Sequence, residues 1–358
     1  MPLHRPAEGD ETELPLGEAV RHQRLVGAVV PPEEFEKETG VRIQFWSGGW
    51  GWRCGSRWWL FHNRRITVIT FIKVFAALRD MDMLPAYDNH FHMSPAGRNL
   101  AALKEFEAAG GTGITLVTLP YAEVPIREGA DFARSYEITF RLAERARAET
   151  GLLVNVAVGP YPILLIGLAE RYGLPQAESI LMKGMDDAAR AVAEGRAVAL
   201  GEIGRPHFEC SAEIWDASNR ILLHGMELAR DQSCPVIIHC ESGTTETNRS
   251  LAALAKEVRL DPALVVKHSS PPFVTPAETY GVTPSLPASK TFIKTAFAKG
   301  TDRFLLETDF IDDPTKPGAI MAATTVPNKV KWMVASGTAT PEQVVHICQD
   351  LPEQLYRR

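Results

Sequence analysis

The sequence predicts a (β/α)8 barrel, a TIM barrel, preceded by a poorly structured N-terminal extension. Three observations predict it. From Met81 onward, short apolar runs rich in β-formers alternate with amphipathic stretches of helical length, the mark of repeated βα units around a parallel sheet. Eight such runs fit into roughly 230 residues. Histidines and carboxylates recur at the last positions of these runs, the end of a barrel strand where chemistry sits. A doubly wound open sheet is the alternative arrangement, but no glycine-rich dinucleotide fingerprint opens any of the units.

The eight runs follow one another in order. MLPAYDNHFHM comes first, then GITLVTLP (Gly113 to Pro120), GLLVNVAVGP (Gly151 to Pro160) and AVALGEIG (Ala197 to Gly204). PVIIHCES (Pro235 to Ser242), ALVVKHSS (Ala263 to Ser270), a weaker TYGVTPSLP (Thr279 to Pro287) and RFLLETDF (Arg303 to Phe310) complete the set. Between them, segments such as YEITFRLAERARAE and AEIWDASNRILLHGMELARD repeat their apolar residues at helical spacing.

Residues 1–80 differ in composition, and the domain division falls there: an extension over 1–80 and a barrel over 81–358. Five of the seven tryptophans lie between Trp46 and Trp59, in FWSGGWGWRCGSRWW, where no helix or strand period is sustained. A stacking platform for sugar or single-stranded nucleic acid is the functional reading of that segment. The other is an extension of little catalytic relevance, or a start codon set too far upstream, since Met81 and Met83 sit just before the first strand.

Bulk properties describe an ordinary globular protein. The chain has 358 residues, 45% hydrophobic and 23% charged, enough for a deep core. A formal charge of -6 gives no general attraction for nucleic acid or anionic membranes. Five scattered cysteines without a CxxC pair fit free thiols in a reducing compartment. The run Ile66 to Leu78 has 13 residues, includes Lys73 and is too short to cross a bilayer. With no apolar signal region at the start, the expected location is the cytoplasm.

The polar residues at the strand ends carry the chemistry. In DNHFHM, His90 and His92 stand at i and i+2, so an extended strand turns both to one face. Alone, such a pair is as well explained by a polar strand end facing water. Yet Glu202 ends the fourth run, His239 the fifth, His268 the sixth and Asp309 the eighth. Four imidazoles and two carboxylates then converge on one barrel mouth, and burying so many ionisable groups together without a metal is costly. Alternation turns Lys267 and Cys240 away from the axis, which leaves Glu202 as the better candidate for a bridging anion. Asp88 and Glu307 lie on the same face one layer deeper, suited to hydrogen-bonding the ligands; a plain interior ion pair is the other reading of Glu307.

Taken together, DNHFHM, GEIG at 201–204, PVIIHC at 235–240, His268 after an apolar strand, and LLETD at 305–309 resemble the TatD family of metal-dependent hydrolases in the amidohydrolase superfamily. They run in the family's order across nearly all of residues 81–358, and the continuation DFIDDPTKPGAI looks more like archaeal TatD-related proteins than bacterial DNases. The resemblance implies one or two divalent metals, one held by His90, His92 and Asp309, the other by His239 and His268, with Glu202 between them. It also implies hydrolysis of phosphodiester bonds, deoxyribonuclease activity included. The chain departs from the bacterial pattern at Arg205-Pro206-His207 after GEIG, at Glu241-Ser242 after His239-Cys240, and at SSPP after His268.

Oxygen and nitrogen ligands without thiolate fit Zn, Mn, Co, Ni or Mg. A metal lowers the pKa of bound water toward about 7, and Asp309 is placed to act as general base. Arg205 and His207 are loop residues placed to contact an anionic small-molecule or nucleic-acid substrate, or else partners in surface salt bridges. Three functions remain open: phosphodiester hydrolysis; hydrolysis of a small ester, lactone or amide in the same site; and non-catalytic binding through the Trp-rich front segment. No protein partner follows from the sequence.

Overall fold

The computed structural model describes residues 41–46, 49–54, 57–61, 84–312 and 321–357. The apolar run Ile66 to Leu78, Met81, Met83 and residues 1–40 lie outside the described residues. The chain divides into two units, residues 1–78 and 79–358.

In the first unit, β1 (Val41–Trp46), β2 (Gly49–Cys54) and β3 (Arg57–Phe61) form an antiparallel sheet in the order β1-β2-β3. Trp46 pairs with Gly49 and Cys54 with Arg57, so each connection is two residues long. The sequence reading found no sustained period here and missed these strands. The signal was present: Ser47-Gly48 and Gly55-Ser56 are the short glycine-bearing separations that mark hairpins.

The second unit is the expected barrel. Its strands are β4 (Tyr87–Phe91), β5 (Gly113–Val117), β6 (Leu153–Val158), β7 (Ala199–Gly204), β8 (Val236–His239), β9 (Val265–Lys267), β10 (Thr283–Pro287) and β11 (Leu305–Glu307). They pair in parallel and in chain order from β4 to β11. The seam between first and last is bridged where Phe91 meets Phe310, and His92 N–H donates to the Phe310 carbonyl at 2.8 Å. Strands β4, β5, β7 and β9 are buried along their whole length. That is why a strand such as β5 reads as a largely apolar run, since helices cover the outer face, while in β4 the buried Asp88, Asn89 and His90 interrupt it.

The helices follow local signals. The longest, Ala212–Gln232, starts where the Ser211 side chain accepts the Ile214 N–H and stops where Ser233 turns left-handed at φ 53°. Its face of Ala217, Ile221, Leu222, Met226 and Ala229 is buried. Gly225 on the same face lets it lie close to β7, because a Cβ there would press on Ile203 and Met185. Gly204 ends β7 at φ +144°, and a side chain there would run into the His239 carbonyl of β8. Gly204 thus keeps the strands bearing Glu202 and His239 at backbone contact, and at Gly201 of the same GEIG a Cβ would press on the Ile237 side chain. At the opposite end, Tyr356 of the C-terminal helix Leu351–Tyr356 stacks on Tyr87 and donates its hydroxyl to Asn89 at 2.7 Å.

Candidate active site

All six expected metal ligands meet at the C-terminal mouth of the barrel. The Nε2 atoms of His90 and His92 stand 3.1 Å apart. The pairing of β4 with β5 shifts between Asp88 and Phe91, and that of β7 with β8 shifts between Gly201 and Ile203. These irregularities bracket His90 and Glu202, and such shifts re-aim a side chain. Glu202 Oε1 lies 2.7 Å from His90 Nε2 and 3.4 Å from His268 Nε2, while Oε2 lies 3.5 Å from His239 Nδ1. Asp309 leaves the strand at φ 51° and sets Oδ1 3.5 Å from His92 Nε2 and 3.9 Å from His90 Nε2.

Three groups could hold an ion: His90, His92, Glu202 and Asp309; Glu202, His239 and His268; and, one layer deeper, His90, His268 and Glu307; the first two share Glu202. Within each group the possible ligand atoms lie within 4.8 Å of one another. The chemistry of the donors suits divalent cations. His92 donates its Nδ1–H to the Val117 carbonyl at 2.9 Å, which leaves Nε2 as the free lone pair aimed at Asp309. Burial works against a charged His90, yet the carboxylates of Glu202, Glu307 and Asp309 together outweigh it and lift the ring to about 9. Burial would likewise raise Glu202, but the His268 and His90 rings and the hydrogen bonds from His239 and His90 hold it well below the usual range. The same balance lowers Asp309. The cluster is thus consistent with holding a divalent cation.

The supporting residues lie one layer down. Glu307 is fully buried; its Oε1 accepts the Ser269 N–H at 2.6 Å and lies 3.3 Å from His268 Nδ1, off the line of a hydrogen bond. Its Oε2 accepts the Ser285 hydroxyl. Asp88 accepts the His90 N–H at 3.2 Å and both the N–H and the hydroxyl of Thr308. It therefore supports the ligands through backbone, not through an imidazole. Burial pushes its carboxyl up to about 7 against those three bonds. Lys267 points away from the cluster and donates to the His268 carbonyl at 2.7 Å. Cys240 is buried outside both ligand groups.

The two expected substrate contacts part company. His207 is exposed, with Nδ1 2.8 Å from His239 Nε2, so it touches the cluster from its rim. Arg205 is 1% exposed and takes part in an ion pair, the other role expected for it. Its guanidinium is forked onto Glu241 at 2.6 and 3.2 Å, donates to Asn219 and Ser250, and stacks over Trp215. Those bonds commit the guanidinium to the protein, because the residue after a strand-ending glycine turned inward rather than out. Tyr161, just past β6, was not singled out from the sequence. Its ring stands edge-on to His239 at 5.0 Å, and burial, then the charges of Glu202 and Asp309, push its hydroxyl up to about 12. A search of strand ends confined to histidines and carboxylates passes over it.

The profile of the family described as TatD related DNase matches residues 87–357. The chain belongs to this family. Among its relatives, the uncharacterized protein MJ1127 of Methanocaldococcus jannaschii is 34% identical over 277 residues, 76% of this chain and 96% of that one. The fold is shared with the TatD homologue YJJV of Escherichia coli, at TM-score 0.53 and 22% identity over 76% of this chain and 98% of that one. The phosphotriesterase homology protein of Escherichia coli is similar in fold at TM-score 0.53 and 11% identity, over 77% of this chain and 99% of its own. The TatD-family chain is thus a metal-dependent hydrolase by family, with the His/Glu/Asp cluster in place. Among the described residues, no helix is long and apolar enough to cross a membrane.

Proposed function

We propose that this TatD-family protein hydrolyses phosphodiester bonds of a small anionic substrate in a cytoplasmic setting. The observation that carries the reading is the pair of ligand groups joined through Glu202. His90, His92 and Asp309 would hold one divalent ion, His239 and His268 the other, and Glu202 would serve both. Bound ions of this kind supply a nucleophilic water at neutral pH and offset the charge on the phosphoryl oxygens.

The chain's own groups do the rest. Asp309 is 28% exposed at its side chain, the most open of the carboxylates in the cluster, and accepts the proton of the attacking water at Oδ1. Glu202, with an 8% exposed side chain, keeps its charge under the four imidazoles and takes no proton. His207, at the rim, is the residue left to meet the substrate directly, since Arg205 is spent on Glu241.

A second reading, hydrolysis of a small ester, lactone or amide, draws support from the loops that follow the strands. Their described basic residues are Arg98, Arg127 and Arg205. Arg98 pairs with Glu105 and Arg205 with Glu241. That is a poor track for a polyanion such as DNA, whose binding rests on lysines and arginines along the backbone. The test is turnover of bis(p-nitrophenyl) phosphate by protein loaded in turn with Zn, Mn, Co, Ni or Mg, beside a lactone and an aryl acetate. Chelator-sensitive release of nitrophenolate from the diester is expected; turnover of the lactone or acetate alone selects the second reading.

A further inference from the structure

A cleft of about 740 Å³ opens beside the cluster, walled by Pro206, His207, Phe208, Trp215 and Glu241. It adjoins the cluster at His207, which lines the cleft and lies 2.8 Å from His239. Two properties of its wall are distinctive. Phe208 is 47% exposed, one of the few large apolar side chains in the described residues to face solvent, and it packs edge-on against His207. The charged groups on the wall are Glu209, Asp216 and Glu241, with no lysine or arginine among them. Arg205 lies beneath, its charge matched by Glu241 and its face covered by Trp215.

We propose that this cleft receives a flat, non-anionic group of the substrate, held between Phe208 and Trp215. Its acidic rim turns away any substituent with a second negative charge. The inference rests on the hydrolytic reading above and narrows it to small diesters whose single anionic centre lies at the metals. A nucleic acid strand would set further phosphates along Glu209 and Asp216, where each is repelled rather than neutralised. Stacking of a planar ring on an exposed aromatic is favourable and tolerant of the ring's identity.

The test is calorimetric binding of three ligands to the metal-loaded full chain: methylphosphonate, phenylphosphonate and 4-carboxyphenylphosphonate. All three offer the same phosphonate to the metals and differ only in what enters the cleft. Phenylphosphonate is expected to bind about tenfold tighter than methylphosphonate, the scale of one ring stacked on an aromatic side chain. The added carboxylate should cancel that gain. Phe208→Ala should bring the phenyl-to-methyl ratio toward one, and Glu209→Gln/Asp216→Asn should restore binding of the carboxylated ring. Equal affinities for the phenyl and methyl compounds, or a ratio untouched by Phe208→Ala, overturn the cleft even where bis(p-nitrophenyl) phosphate is hydrolysed. Conversely, a strong phenyl preference in a protein that hydrolyses no diester keeps the cleft and removes the phosphodiester reading.

Discussion

Asp88, in the first barrel strand, and Thr308, just past the last, share two hydrogen bonds across the seam of the barrel. Thr308 donates its N–H to Asp88 Oδ1 at 3.0 Å and its hydroxyl to Oδ2 at 2.6 Å. Asp88 Oδ1 also accepts the His90 N–H. One buried carboxylate therefore ties the backbone before Asp309 to the backbone of His90, and so sets two proposed ligands from opposite ends of the chain against each other.

Replacing Asp88 with Asn keeps the volume but leaves a single acceptor oxygen and points N–H donors at other donors. Leaving a buried N–H or hydroxyl unpaired costs about 1–3 kcal/mol. Asp88→Asn should lower the melting temperature by about 5 °C or more, measured in chelator so that metal content does not enter. Thr308→Val, which removes only the hydroxyl, should cost less. Equal melting temperatures for Asp88→Asn and the natural protein would mean that the seam is held elsewhere.

Residues 81–358 should fold alone. All eight barrel strands lie there, and the seam between the first and last is bridged at Phe91 and Phe310. The fragment is expected to be monodisperse, to melt cooperatively and to keep diester turnover. An insoluble fragment would show that residues 1–80 cover a necessary surface. A folded, metal-bearing fragment without function would shift the function to the Trp-rich segment.

Glu278 offers a pH test far from the cluster. It accepts the Thr275 N–H and the Val274 N–H, each at 3.1 Å, and the Lys299 ammonium at 2.6 Å. Burial would raise its carboxyl, but the Lys299 and Thr275 bonds bring it down to about 2 from 4.5. A depressed folded-state value means stability that is full above pH 4.5 and is lost as pH falls toward 2. Glu278→Gln should therefore destabilise by about 1–2 kcal/mol at pH 7, discounted for partial exposure, with the gap to the natural protein closing below pH 4.5. A constant gap between pH 7 and pH 3 would assign the effect to packing.

Asp309→Asn keeps an oxygen and the shape but removes charge and basicity. If Asp309 accepts the proton of the attacking water, kcat should fall by roughly 10²-fold or more, with KM little changed. Metal content should fall much less, because His90 and His92 remain. A parallel loss of metal and activity would make Asp309 a ligand only.

Much of this was legible in the sequence for a physical reason. Strands buried on both faces must be apolar throughout, so VALGE, PVIIH and FLLETD announce both the strand and the point where its polar end emerges. What was not legible lies where backbone leaves the regular strand. RFLLETDF reads as one strand to Phe310, yet pairing stops at Glu307 because Asp309 turns left-handed before Phe310 returns to meet Phe91. The start of ALVVKHSS is a turn over Pro262–Leu264, set by the Asp261 side chain accepting the Ala263 N–H. Parity alone could not tell that Arg205 folds inward, since its direction depends on Glu241 after β8 and on Trp215 and Asn219 of the helix Ala212–Gln232. The β1–β3 sheet was legible too, in the alternation of Val41, Ile43 and Phe45 with Arg42 and Gln44 and in the two glycine-bearing hairpin separations.

The central claim is that Glu202 joins two metal-binding groups. Its most direct test is metal content per chain, by elemental analysis after reconstitution with Zn or Mn, of the natural protein beside His90→Ala/His92→Ala and His239→Ala/His268→Ala. The account predicts about two ions in the natural protein and about one in each folded double variant. No bound metal in the natural protein, or the same content in all three, would contradict it.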